Sequence, residues 1–355
     1  MDITPRCYLD IKTHVFSHNV AHAKASLANT AALMVAVKSE AYGHGGHAMA
    51  KLAVAAGADA LAVLDIPTGV GLRPAAPNVP MLCWLISPHS NLHDAVEHSL
   101  TLGISHLWQL DMIRDLEPQA PILIHLKIDT GLHRNGCLKE NWPALVREAK
   151  ALQDQGRVLV EGVWSHLADT SLAEDKISLA RFHDAVDIVK QVGLTPTLLH
   201  IAASAAATDL PEARLDMVRV GISAYGVSPF EDRTAHDMGF HPVMVARAMV
   251  SQVDAMHETV TLGMGYADGL LPLPPRAGWL EHQGRRGIIE AVESDHTVVS
   301  FDTGPLPEVG SVLTLFGEPE SGSPRAEDWA TWGDTIGDEV LAGIPSHVPR
   351  RYLSS

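Results

Sequence analysis

Leu33-Met34-Val35-Ala36-Val37-Lys38, followed after Ser39 and Glu40 by Ala41-Tyr42-Gly43-His44-Gly45-Gly46, is the stretch that decides the fold of this 355-residue chain. A short apolar run bounded by polar and glycine-rich punctuation reads as a fully buried strand leading into a tight turn. An ammonium at the end of such a strand is costly unless it finds a partner or does chemistry. Two explanations of Lys38 therefore compete. It caps the strand mouth and snorkels to water, or desolvation lowers its pKa and suits it to Schiff-base chemistry.

Working outward, apolar runs recur near 33–38, 60–65, 79–86, 100–104, 122–128, 158–164, 197–201 and 215–220. Amphipathic stretches lie between them, among them 46–56, 142–153 and 172–192. In the last of these Ile177, Ala180, Phe182, Ala185, Ile188 and Val189 fall near a helical period. Strands alternating with helices predict parallel βαβ units, and eight such units close a TIM barrel. After about residue 230 the texture changes to proline and glycine punctuation with short alternating runs. Val298-Val299-Ser300-Phe301 and Val312-Leu313-Thr314-Leu315-Phe316 read as antiparallel strands, with turns at Glu308-Val309-Gly310 and Gly317-Glu318-Pro319. The expected architecture is a (β/α)8 TIM barrel over 1–235 followed by a mainly antiparallel β domain over 236–355. The boundary is expected between 228 and 242.

Bulk properties narrow the function classes. A formal charge of −16 argues against nucleic acid or an anionic membrane as partner. It leaves room for a small anionic substrate, which meets the local field. No apolar stretch reaches membrane-spanning length, and Met1-Asp2-Ile3-Thr4-Pro5-Arg6 lacks the layout of a secretory leader. Cys7, Cys83 and Cys137 lie far apart and form no CxxC pair, so a reducing cytoplasm is expected. The 20 histidines are scattered; His14, His18 and His22 and the pair His89 and His93 recur at a spacing of four, but there is no HExxH, and no metal site is expected.

The barrel makes a demand of its own, since functional groups should follow the strands on the C-terminal rim. Lys38 ends the first strand and Lys127-Ile128-Asp129-Thr130-Gly131-Leu132-His133-Arg134 the fifth. Trp164-Ser165-His166 ends the sixth, His200-Ile201-Ala202-Ala203-Ser204 leaves the seventh, and Val218-Arg219-Val220-Gly221-Ile222 ends the eighth. Singly, each has an innocent explanation: a good turn at Asp129-Thr130-Gly131, a core histidine at His166, an ion-pair partner in Arg219. Their coincidence on one rim points to a site. Phosphate in TIM barrels is often held by the loops after strands 7 and 8. There Ser204 offers a hydroxyl and Gly221 a close backbone approach.

The segment Val37-Lys38-Ser39-Glu40-Ala41-Tyr42-Gly43-His44-Gly45 resembles the cofactor-lysine segment of alanine racemases. Gly265-Tyr266-Ala267-Asp268-Gly269 resembles that family's GYADG segment, and Gly343-Ile344-Pro345-Ser346-His347-Val348-Pro349-Arg350 its closing segment. With Lys127-Ile128-Asp129-Thr130-Gly131 these motifs run from 38 to 350 in family order. The resemblance implies an isomerase of small amino acids, interconverting L-alanine and D-alanine by a two-base mechanism. It also implies pyridoxal 5′-phosphate (PLP) as cofactor and a homodimer with shared active sites. It assigns Lys38 to the Schiff base and to proton transfer on one face. Tyr266 from the other chain takes the opposite face, with His166 beside the cofactor assisting its relay. Tyr42, Ser204, Gly221 and Ile222 hold the phosphate, and Arg219 faces the ring nitrogen. Arg134 steers the substrate carboxylate, with Lys127 beside it as a possible carbamate.

The chain departs from the family pattern at four places. Glu40 stands where a neutral residue is usual, and Ala203 replaces the asparagine of the HxxNS motif. The usual Gly-x-x-Val-x-Tyr-Gly segment before Gly265 is lacking, and Val292-Glu293-Ser294-Asp295-His296 occupies the place of an expected Met-Asp pair. Alternatives are a racemase of another small amino acid, a decarboxylase of the same barrel-plus-β architecture, and an inactive PLP-binding relative. A decarboxylase would place an acid, not Arg219, against the pyridine nitrogen.

Overall fold

The structure, a computed structural model, describes residues 5–354. Sixteen strands are found among them. In chain order they are β1 (Cys7–Lys12), β2 (Ala32–Ala36), β3 (Ala60–Val63), β4 (Met81–Cys83), β5 (Thr101–Ile104), β6 (Ile122–Lys127), β7 (Val158–Trp164), β8 (Leu198–His200) and β9 (Met217–Val220). There follow β10 (Met244–Asp254), β11 (Thr259–Leu262), β12 (Gly278–His282), β13 (Arg285–Val292), β14 (Thr297–Ser300), β15 (Val312–Phe316) and β16 (Arg350–Leu353). They sort into a parallel sheet in the order β8-β7-β6-β5-β4-β3-β2-β9 and a second, mainly antiparallel sheet. The fold is thus a TIM barrel with a β-rich C-terminal domain, and the eight apolar runs of the sequence are the eight barrel strands.

The chain divides into two compact units. One runs over Val20–Lys38 and Ala50–Gly221 and carries the barrel. The other takes the chain up to Asn19, Ser39–Met49 and the chain from Ile222 onward. In the barrel, side chains alternate between the helices outside and the lumen inside. The lumen is filled by Met34, Ala60, Ala62, Leu82, Trp164 and Met217, with Ala32, Ala36, Trp84 and Leu198 against them. Small alanines on β2 and β3 leave room for Trp84 and Trp164, whose rings meet edge-on at 6.4 Å. The circle closes where Arg219 N–H donates to Ala202 O and Asp216 N–H to Leu199 O, both at 3.1 Å.

Two helices outside the barrel show why the sequence folds as it does. Ser171 caps Leu172–Gln191 by accepting from Glu174 N–H, with acids in the first turn and Lys190 in the last. Its buried face is Leu179, Phe182, Ala185, Val186 and Val189. Ile177, placed on the apolar stripe by periodicity, is instead 44% exposed. Trp142 opens the helix Trp142–Asp154, is fully buried, and donates its indole N–H to Ala185 O at 2.9 Å, tying the two helices together.

In the β unit the long strand β10 organises the sheet. It pairs with β1, β15 and β11, and the order β11-β14-β13-β12-β15-β10 closes through the β10–β11 pairing. The two segments read as neighbouring strands, 298–301 and 312–316, do not pair with each other. The first belongs to β14, between β11 and β13, and the second is β15, between β10 and β12. The intervening hairpin β12–β13 separates them, because its alternating pattern completes the circle. Asp10 of β1, almost fully buried, accepts from Arg247 Nε of β10 at 3.1 Å and from Arg351 Nε of β16 at 2.8 Å. A single carboxylate thus joins three adjacent strands. Asp10→Ala leaves two guanidinium groups without their shared acceptor and is expected to destabilise the protein by about 3 kcal/mol, measured by urea denaturation.

Candidate active site

The C-terminal rim of the barrel gathers Lys38, Lys127, Arg134, His166, Ser204, Arg219 and Gly221. Arg219 is its centre. Its side chain is buried beneath the rim, where Nη2 donates to Ser165 O (2.8 Å), Ile201 O (3.0 Å) and His166 Nδ1 (3.0 Å). Nη1 donates to His200 Nδ1 at 3.0 Å. All the acceptors come from the ends of β7 and β8, where strand termination frees carbonyls from the ladder. Nε–H and the second Nη1–H have no acceptor among the described residues. Burial, opposed by Asp169 and reinforced by Arg134, pushes the guanidinium down to about 9.

Trp164 forms a floor for the cations. Lys127 Nζ lies 4.4 Å from its ring centre and the Arg219 guanidinium carbon 5.2 Å, an arrangement in which the indole face meets positive charge. Lys127 is pushed down to about 7, first by burial and then by Arg219 and Arg134, against Asp129. His166 is held well below its ordinary value, by burial first and then by Arg219, Arg134, Lys127 and Lys38. It is therefore neutral. Its Nδ1 accepts from Arg219, so its proton sits on Nε2, available as a donor. The loop after β6 is shaped by Asp129, whose Oδ1 accepts from Gly131 N–H (2.9 Å) and His133 N–H (3.1 Å). Arg134, exposed on that loop, adds to the positive field. At the strand 7–8 position, Gly221 N–H donates to Ser204 Oγ at 3.2 Å. The hydroxyl and the amide expected to serve one anion are adjacent.

The segment after Lys38 differs from a simple glycine-rich turn. Ser39, Glu40, Ala41 and Tyr42 all have φ between 50° and 54°, a left-handed helical turn built without glycine. Each such residue costs of order 1 kcal/mol, so the turn needs support. It finds it in the β unit. Gly43 N–H donates to Ser39 O (3.0 Å) and Gly45 N–H to Glu40 O (2.9 Å). His44, buried and pushed down to about 4 by burial, lies with Nδ1 3.0 Å from Ala41 O and 2.8 Å from Tyr42 O. Arg350 Nε donates to Gly43 O at 2.8 Å. Glu40, the departure from the family pattern, accepts from Gly46 N–H at 3.0 Å where the helix Gly46–Ala55 begins. Its charge suits that helix end. The buried Tyr42 ring packs on Tyr225 at 4.9 Å. Ile222, next along the chain from Gly221, is buried in the β unit.

Tyr266 lies in the β unit on a short turn and is 50% exposed. Its N–H donates to Glu293 O and that of Ala267 to Ser294 O, both at 2.8 Å. The segment standing in place of the Met-Asp pair thus backs the tyrosine turn. Asp268, fully buried, accepts from Gly265 N–H (3.0 Å) and Arg6 Nη2 (2.7 Å) and fixes the turn's base. Among the described residues no group of three histidine, cysteine, aspartate or glutamate side chains forms a metal site. No helix there is long and apolar enough to cross a membrane. Three residues that the sequence reading quoted within motifs but gave no role bear on the site: His200, which anchors Arg219, and His44 and Arg350, which hold the left-handed turn. His200 had a signal, its place at the end of a barrel strand; for the other two only tertiary contact reveals the role.

Comparison with known proteins agrees with this geometry. The family description "Alanine racemase, N-terminal domain" matches residues 11–229, and "Alanine racemase, C-terminal domain" residues 247–352. An alanine racemase of Streptomyces coelicolor is 37% identical over 353 residues, covering 91% of this chain and 90% of that protein. One from Salinispora tropica is 36% identical over 91% and 92%. The crystal structure of alanine racemase from D-cycloserine producing Streptomyces lavendulae superposes with a TM-score of 0.91 at 34% identity, covering 99% of this chain and 98% of that one.

Lys127 gives the site a testable signature. Its folded value of about 7 lies below its ordinary 10.5, so between these values the unfolded chain binds the extra proton. Stability contributed by this group therefore rises with pH across that window. Lys127→Met in bicarbonate-free buffer is expected to raise the melting temperature at pH 7 and to flatten the rise between pH 7 and about 10.

Proposed function

We propose that this chain, which belongs to the alanine racemase family, is a PLP-dependent isomerase that interconverts L-alanine and D-alanine by a two-base mechanism. The observation that carries the reading is Arg219, a buried guanidinium held by four acceptors and with its Nε–H still unspent at the barrel mouth. A donor of that kind fits the ring nitrogen of PLP, and Ser204 with Gly221 fits its phosphate. When bound, PLP supplies an aldehyde that condenses with amines and a conjugated ring that takes up the electron pair left by a departing α-proton.

Arg219 cannot readily give up its proton, so it would leave a ring nitrogen that accepts from it unprotonated. That would moderate electron withdrawal and favour prompt return of a proton over decarboxylation or other loss. Lys38 would anchor the cofactor through its Nζ, and the same amine would move the α-proton on one face. Tyr266 of the partner subunit serves the opposite face through its phenol oxygen, which its exposure here leaves available to a second copy. A phenol is a poor base at its usual pKa near 10. The neutral His166, with its proton on Nε2, donates toward the phenol oxygen. Two groups flanking one carbon invert it with little motion, each acting on a different enantiomer.

Arg134 orients the substrate carboxylate. Lys127, close to half deprotonated at neutral pH, has the free amine that attacks carbon dioxide, forming an N–C bond and releasing a proton. The resulting carbamate converts repulsion from Arg134 into attraction. The three cysteines are free and buried, in keeping with a reducing cytoplasm.

L-alanine and D-alanine are each expected to exchange the α-proton in deuterated water with inversion; exchange without inversion, or release of carbon dioxide, refutes the racemase reading. Lys38→Ala is expected to abolish both cofactor attachment, read by borohydride labelling, and turnover. Tyr266→Phe is expected to retain PLP and to slow proton transfer from one enantiomer by a factor of at least about 100, followed by isotope exchange from each side separately.

A further inference from the structure

Beneath Arg219 a line of polar groups runs toward the opposite end of the barrel, and the chemistry above makes no use of it. Arg219 Nη1 donates to His200 Nδ1 at 3.0 Å, His200 Nε2 lies 2.9 Å from His125 Nδ1, and His125 Nε2 lies 3.2 Å from Glu161 Oε2. His125 and His200 are buried, and the Glu161 side chain is 26% exposed. The two ends have fixed character. A guanidinium only donates, and a carboxylate only accepts.

Every proton between them is thereby placed. His200 accepts at Nδ1, so it carries its hydrogen on Nε2 and donates to His125. His125 accepts at Nδ1, so it carries its hydrogen on Nε2 and donates to Glu161. A doubly protonated His125 is incompatible with the line, because His200 would then have to accept at both nitrogens. The polarity runs one way from guanidinium to carboxylate.

The backbone is shaped to make this line. Between β6 and β7 the register shifts, with Ile124 opposite Val160 and His125 opposite Gly162. Glu161 is the extra residue of a β-bulge, a device that re-aims a side chain. It lines a cavity of about 180 Å³ together with His125, Asp59 and Thr101. At the next position a Cβ on Gly162 would lie 2.7 Å from His125 Cγ, so only glycine lets the imidazole lie there undisturbed.

We propose that Glu161 and His125 are positioning residues for the racemisation. They lock His200 into the tautomer that accepts from Arg219 and so hold the guanidinium in the attitude that leaves Nε–H free for the ring nitrogen. The inference rests on the role of Arg219 proposed above. Without the carboxylate the line can reverse, and His200 then presents Nδ1–H to Arg219, donor against donor.

The test is made on holoenzyme carrying 15N-labelled histidine. In the wild type, His200 and His125 are expected to show bare Nδ1 and protonated Nε2. Glu161→Leu is expected to abolish that single-tautomer signature at His200. It should lower kcat by about tenfold, the rate equivalent of one hydrogen bond of ordinary net strength, with KM within about twofold. Glu161→Asp, which restores a carboxylate, is expected to recover part of both. Glu161→Gln, whose amide oxygen still accepts, is expected to fall between and carries the test should Glu161→Leu not fold. Retention of the His200 tautomer with unchanged kcat in these variants, even with a lowered melting temperature, overturns the proposal. Failure of the wild type to racemise alanine sinks the functional reading instead, and the tautomer measurement distinguishes the two.

Discussion

A guanidinium buried at the mouth of a parallel barrel is the constraint around which the rest is arranged. Burying Arg219 without a carboxylate in contact demands that lone pairs stand in for water. They come from Ser165 O, Ile201 O and two imidazole nitrogens. Two consequences are chemical. His166 and His200, both held well below their ordinary range by burial first and Arg219 next, are neutral acceptors toward it. Their other nitrogens become donors, one toward the mouth and one toward the barrel interior. A third consequence is geometric. The acceptors lie at the last residue of β8 or just beyond the ends of β7 and β8, so the position of Arg219 depends on where those strands stop. A lysine could not serve, since a single ammonium cannot reach acceptors spread over two strand ends.

How much of this was legible in the sequence depends on the range of the interactions. The eight barrel strands were, because a strand covered on both faces reads as an unbroken apolar run. The rim residues were, because barrel geometry fixes which end of a strand carries function. Strand β1 was not. Its short pattern Cys7-Tyr8-Leu9-Asp10-Ile11-Lys12 becomes a strand through pairing with β10, and the ion pair that anchors it joins residues 237 positions apart. The pairing of β14 and β15 failed for a related reason. Adjacent runs invite a hairpin, and closing the sheet into a circle overrode that expectation. Glu161 was invisible because a one-residue bulge leaves no periodic trace.

The departures from the family pattern acquire local explanations. Glu40 accepts from the first N–H of a helix, a place where a negative charge is favourable. The 293–296 turn supports Tyr266 through its backbone carbonyls, so its side chains are free to differ. The closing segment has a task that its sequence did not announce. Arg350 bonds to Ile344, Pro345 and Val348 carbonyls of its own turn and to Gly43 O. A motif near the end of the chain thus braces the turn that begins one residue after Lys38.

That bracing bears on why the lysine segment can be strained. Four consecutive non-glycine residues in the left-handed region together cost several kcal/mol relative to a relaxed turn. Local propensity opposes the conformation, since none of Ser39, Glu40, Ala41 and Tyr42 is a residue that supplies it cheaply. The compensation is a set of hydrogen bonds from His44, Gly43, Gly45 and Arg350 to the turn's own carbonyls. A glycine-rich alternative would cost less in strain but more in backbone entropy, and it would leave the chain after Lys38 many paths. The strained turn leaves it one. For the role proposed for Lys38, in which its amine returns to the same place in each turnover, a fixed departure of the backbone is worth more than an unstrained one.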